Sequence, residues 1–93
     1  MTIGIMVLDL HSENSHSLKE KRRILLSLKE RLRHKYNISL IESNYQNLWQ
    51  KMQLTIALAA STKKIADKTF TQIENFILSQ YPVQILKIEK EYL

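Results

Sequence analysis

The chain is predicted to be an α+β domain of β-α-β-β-α-β order, a four-stranded antiparallel sheet with two helices on one face, on three observations. Two segments repeat apolar residues at the spacing of a helix face, Leu18 to Tyr36 and the stretch after Thr62. The runs Ile3 to Leu10 and Leu48 to Ala60 alternate with a period of two instead. Turn-forming residues separate these segments at every junction.

In the first run, Ile3, Ile5 and Val7 form one apolar set and Met6, Leu8 and Leu10 the other. A strand apolar on both faces belongs in the middle of a sheet. Ser12-Glu13-Asn14-Ser15 is a polar loop. Ser17-Leu18-Lys19-Glu20 is a capping box: the Ser17 hydroxyl accepts from the backbone N–H three residues on, and Glu20 reaches back. From there Leu18, Ile24, Leu25, Leu28, Leu32 and Tyr36 fall within one arc of about 120°, which predicts a helix over 18–36. Ile38, Leu40 and Ile41 mark a short second strand, and Ser43 to Asn47 a turn. The third strand, Leu48 to Ala60, sets Met52, Leu54, Ile56 and Leu58 on one face. Ser61 or Thr62 caps a second helix with the stripe Ile65, Ala66, Phe70, Ile73, Phe76 and Ile77, and Pro82 follows its end. Val83 to Tyr92, carrying Lys87, Glu89, Lys90 and Glu91, suits an edge strand. Two split β-α-β crossovers joined by a hairpin make a ferredoxin-like plait with the first and third strands central.

Ninety-three residues with 44% apolar content accommodate one domain, 1–93. The absence of cysteine excludes disulfides, thiolate-bound metals and a cysteine nucleophile. A single glycine leaves no glycine-rich phosphate loop. The apolar run at the amino terminus stops at Asp9, too short for a membrane span and without the basic start of a signal peptide, so a cytoplasmic location and no membrane partner are expected. The net charge of +5 favours polyanionic or acidic partners.

That charge is concentrated. The first helix holds eight bases, Lys19, Lys21, Arg22, Arg23, Lys29, Arg31, Arg33 and Lys35, against Glu20 and Glu30; the rest of the chain has six bases against seven acids. Lys19, Arg22, Arg23, Lys29 and Arg33 cluster opposite the apolar arc, with Leu26 and Glu30 among them and His34 at the border. A band of bases on an exposed helix is the footprint of phosphate-backbone binding, and the five are the expected nucleic-acid-binding residues. Lys21 instead falls inside the apolar arc, where its stem is expected to snorkel outward; the other option is a pair with Glu42 or Asp9.

Other side chains have the chemistry of a site. Asp9 and His11 share a strand face, and with His16 and Glu42 they are the right types for a metal or acid–base site. No paired-histidine spacing supports that, so no catalytic residue, metal or cofactor is assigned. Trp49, Tyr45 and Tyr36 are able to stack on bases but are expected to pack at the core margin. The first strand offers Ile, Val and Leu where base-stacking plaits display aromatics, which argues against that mode of readout. The sheet face without helices is the expected surface for a homodimer.

Leu10-His11, then His16-Ser17-Leu18-Lys19-Glu20-Lys21-Arg22-Arg23 and Tyr36-Asn37-Ile38-Ser39, with Glu42 and Gln46-Asn47-Leu48-Trp49-Gln50 as a second signature, resemble the YlxP-like family of small bacterial proteins. The resemblance covers nearly the whole chain. It implies a ferredoxin-like fold. It also implies a role near RNA or the ribosome, because the family's genes commonly lie among those for translation initiation and ribosome maturation factors. The motif residues here are His16, Ser17, Leu18, Lys19, Lys21, Arg22, Glu42, Leu48 and Trp49. Asn47 stands where the family often has Asp, an acidic residue near Asn44 is missing, and the loop 12–15 lacks a frequent proline. Those departures weaken any metal-dependent chemistry. The expected function is a non-enzymatic RNA- or ribosome-associated accessory protein, with a dimeric module for an acidic protein partner as the alternative and an enzyme using Asp9, His11, His16 and Glu42 as the third reading.

Overall fold

The computed structural model describes all 93 residues. The strands are β1 (Thr2–His11), β2 (Ser39–Asn44), β3 (Lys51–Ala60) and β4 (Gln84–Tyr92); the helices are α1 (Leu18–Lys35) and α2 (Lys63–Gln80). The sheet order is β2-β3-β1-β4, with every pairing antiparallel. This is the predicted plait, with β1 and β3 central and β4 at an edge. The helices end where the caps say they should. Ser17 Oγ accepts from Glu20 N at 3.1 Å while Glu20 Oε2 accepts from His16 N at 2.8 Å, so the capping box closes on the residue before the cap. Of the two candidate caps for α2, Thr62 is used, its Oγ1 accepting from Ile65 N.

One face of the sheet meets both helices, α1 over β2 and α2 over β1, β3 and β4. Met6, Leu8 and Leu10 from β1, Leu40 from β2 and Met52, Leu54, Ile56 and Leu58 from β3 pack there on Leu25, Leu28 and Leu32 of α1 and Ala66, Phe70, Ile73 and Ile77 of α2. Gly4 lies on this same face, and a Cβ there would stand 2.8 Å from the Phe70 ring. Glycine lets α2 sit close to β1. The other face of β1 carries Ile3, Ile5 and Val7, half-buried in the pleat without a covering layer.

Three expectations change. The third strand begins at Lys51, not Leu48, because Leu48, Trp49 and Gln50 belong to the hairpin loop, where Leu48 N donates to Tyr45 O. Ile65 lies 48% exposed, because the face of α2 that meets the sheet runs through Ala66, Phe70, Ile73 and Ile77 and leaves Ile65 at its margin. Lys21 does not snorkel: it is 1% exposed, and its Nζ sits 2.9 Å from Glu42 Oε2 and donates to Tyr45 O. The reason is placement. Glu42 pairs with Leu54 in the β2–β3 register and therefore points into the core face beneath α1.

Candidate functional site

The bases of α1 divide into four groups according to what each side chain touches. Lys21 is spent inside the fold on Glu42. Arg31 and Lys35 turn toward α2: the Arg31 guanidinium lies 4.9 Å from the Phe76 ring centre and donates to Gln80 Oε1, and Lys35 lies 4.8 Å from the same ring. Lys19, Arg22 and Arg23 are exposed, and Lys29 is half-buried. None of these four takes part in an ion pair or a side-chain hydrogen bond, so their charge is open to a ligand.

Arg33 is divided between two roles. Its Nη2 donates to the carbonyl of Leu40 at 2.7 Å. β2 is the outer strand of the sheet, so this guanidinium covers an edge carbonyl that would otherwise invite another strand. At helical spacing Lys19, Arg22, Leu26, Lys29 and Arg33 form one stripe about 21 Å long on the β2 side of α1. Arg23 stands one position around the helix from it.

The four groups considered for catalysis do not converge. Asp9 and His11 lie on the open sheet face, where Asp9 Oδ1 accepts from Gln53 Nε2 at 2.9 Å. Gln53 Oε1 in turn accepts from Ser43 Oγ, and Thr55 Oγ1 donates to that hydroxyl, so a chain of polar side chains crosses three strands. Glu42 is on the opposite face against Lys21. His16 is exposed at the start of α1. No three His, Asp or Glu side chains are placed to hold a metal ion.

The aromatic expectation holds for Tyr36, which packs against the core. It fails for Trp49, 55% exposed at the tip of the β2–β3 loop beside Leu48, which is 48% exposed. Tyr45, half-buried, takes the left-handed backbone conformation at φ 64° and lies beneath Lys51, whose Nζ is 4.3 Å from its ring centre. Sequence reasoning placed Leu48 and Trp49 in a strand, where one would have pointed inward; the Asn44-Tyr45-Gln46-Asn47 cluster was the signal that the turn extends further. A shallow cavity of about 460 Å³ lies here, lined by His11, Asn47, Leu48, Trp49, Gln50 and Lys51.

The groups with shifted titration lie on β4 and α2. Burial, then the hydrogen bond to Asp67, pushes the Tyr92 hydroxyl up to about 12. The same bond, 2.6 Å long, lowers the Asp67 carboxyl, with Lys90 helping. The hydrogen bond and charge of Glu89 raise Lys87. These are contacts of the β4 edge and α2 and do not mark a reactive centre.

Fold and surface together define a small ferredoxin-like protein with an exposed cationic helix. Residues 3–90 match the family described as "Protein of unknown function (DUF503)", and the chain belongs to that family. It is 36% identical over 61 residues to the "Uncharacterized protein YlxP" of Bacillus subtilis (strain 168), a match covering 66% of each chain, just under two thirds of the relative's length. Among solved structures it is similar to the de novo designed protein Foldit4, with a TM-score of 0.52 and 9% identity over 100% of this chain and 97% of that one. It is also similar to the At3g17210 protein of Arabidopsis thaliana, with a TM-score of 0.50 and 10% identity over 98% and 92%. At such identities these likenesses speak for the fold alone. No helix is long and apolar enough to cross a membrane.

Proposed function

We propose that the protein is a non-enzymatic, RNA- or ribosome-associated accessory factor that holds phosphate backbone against the open stripe of α1. The observation that carries this reading is the unpaired state of Lys19, Arg22, Arg23 and Lys29 on one exposed helix. Side chains without an internal partner keep their charge for counterion exchange with phosphates, which gives affinity with little sequence preference. Arg22 and Arg23 add guanidinium forks able to take two phosphate oxygens each, and Arg33 contributes with whichever nitrogens its Leu40 bond leaves free. The gene neighbourhood implied by the family resemblance agrees with an RNA ligand.

The test is the triple substitution Lys19→Glu, Arg22→Glu, Arg23→Glu, which spares Arg33 because that side chain also supports β2. RNA binding is expected to vanish while the circular dichroism spectrum and melting temperature stay close to wild type. Unchanged affinity in the folded triple variant refutes the reading.

A second reading, a homodimer through the open sheet face, is favoured by Ile3, Ile5 and Val7, which lie half-buried on β1 with Ile41 exposed on β2. The β4 rim of that face carries Lys87, Glu89 and Glu91, so a copy turned end for end brings Lys87 near an acidic position at both rims. Sedimentation at micromolar concentration decides it: a strictly monomeric mass refutes the dimer. Pull-down with and without nuclease then separates an RNA ligand from an acidic protein partner, since partners lost on nuclease treatment require RNA.

A further inference from the structure

Leu48 and Trp49 are the feature the phosphate stripe leaves unexplained. They are adjacent, roughly half-exposed, and stand on a loop that is held firmly in place. Ser12 N donates to Gln50 O at 2.7 Å, Gln50 Nε2 donates to Glu13 O at 3.2 Å, and Tyr45 N donates to Asn44 Oδ1 at 2.8 Å. Lys21 ties the same loop to α1 through Tyr45 O. A loop tethered from both sides presents its indole in a defined place. Exposing a tryptophan and a leucine together forgoes the burial that either would gain in the core, and such a patch is a contact surface.

The surroundings of the patch say what it contacts. The cavity beside Trp49 has a cation, Lys51, and three side chains able to both donate and accept hydrogen bonds: His11, Asn47 and Gln50. It carries no carboxylate. That mixture, a flat apolar face with amide edges and an adjacent ammonium, complements a nucleobase joined to a phosphate better than it complements an apolar protein segment. The first turns of α1, with Lys19 and Arg22, are at the same end of the fold, because Lys21 between them reaches the loop.

We propose that Trp49 is a stacking platform for an unpaired nucleotide, with Lys51 on the neighbouring phosphate and Asn47 and Gln50 at the base edge, so that the protein prefers single-stranded RNA segments to duplex. This rests on the phosphate-binding reading and adds to it the state of the RNA. A base inside a duplex has both faces stacked already and cannot lie on the indole; an unpaired one can.

The chain's single tryptophan makes the test direct, since intrinsic fluorescence has one source. A labelled oligouridylate and a duplex RNA of equal length are titrated, with anisotropy of the label reporting binding and Trp49 emission reporting stacking. The single strand is expected to quench Trp49 with the same midpoint as the anisotropy change. Trp49→Ala is expected to weaken single-strand binding by about 5- to 150-fold, the range for one stacked base, and to leave duplex binding unchanged. Trp49→Phe should recover much of the loss. Binding by anisotropy with silent Trp49 emission and an unaffected Trp49→Ala variant overturns the platform and leaves the phosphate stripe standing. No anisotropy change with either RNA overturns both. Emission that shifts with protein concentration alone, without RNA, assigns the patch to a second copy of the chain and likewise overturns the platform.

Discussion

Replacing Lys21 by methionine is expected to destabilise the protein severely, although the substitution looks mild on a helix that already contains eight bases. Methionine keeps the length of the stem and a similar helix propensity. It leaves Glu42, whose side chain is 15% exposed, facing an apolar group, and it strips the donor from the Tyr45 carbonyl. Glu42 Oε2 has no other hydrogen-bond partner, so the ion pair is its only internal compensation. Removing one member of a buried pair costs about 3–5 kcal/mol; the residual water contact of Glu42 places this case near the lower end, about 3 kcal/mol. A domain of this size holds about 5–15 kcal/mol in total, and each kcal/mol moves the melting temperature by about 4–8 °C. The expected fall is therefore about 12–24 °C, followed by circular dichroism on heating and checked by urea unfolding. Adding Glu42→Leu should restore much of the loss, because no charge is then buried alone. A melting temperature for Lys21→Met within about 3 °C of wild type refutes the reasoning, since it would mean that Glu42 is hydrated and the pair contributes nothing.

Gly4→Ala should lower stability by about 1–3 kcal/mol despite the better strand propensity of alanine, because the new methyl meets the Phe70 ring at 2.8 Å, and Phe70→Leu in the same chain should relieve the clash. Denaturation of the single and double variants decides this; a neutral Gly4→Ala contradicts the close approach of α2. Tyr92, raised to about 12 from an unfolded value of about 10, favours the folded state fully below pH 10, and that contribution is lost as pH rises through 12. Wild type should thus lose more stability than Tyr92→Phe between those limits, and an ultraviolet titration of the four tyrosines should show its highest component disappear in Tyr92→Phe. The opposite sign holds for Asp67: its carboxyl is lowered, so its contribution is present above the ordinary carboxylate range and fades as pH falls through the depressed value.

Elements governed by local chemistry were legible in the sequence. The capping box placed the start of α1 because Ser17 and Glu20 act on backbone groups within one turn. The doubly apolar β1 placed itself centrally because no edge strand needs apolar residues on both faces. Legibility ended where long-range partners decide. Lys21 resembles an ordinary helix lysine until the β2 register turns Glu42 beneath it. Leu48 and Trp49 have the composition of a strand, but the backbone turn at Tyr45 and the bond from Gln50 to the β1–α1 loop hold them outside the sheet. The basic helix was visible as a charge count, whereas the division between occupied and open bases depends on aromatic rings of α2 and an edge carbonyl of β2.

Binding of a small-subunit ribosomal RNA fragment at 50 and 200 mM salt would test the phosphate stripe itself. With about four phosphate contacts, matching the four unpaired bases of α1, the logarithmic slope should be about −3, a weakening of about 50- to 150-fold over that fourfold change in salt. Weak binding already at the lower concentration, or strong binding indifferent to salt, would contradict a role for α1 in holding phosphate.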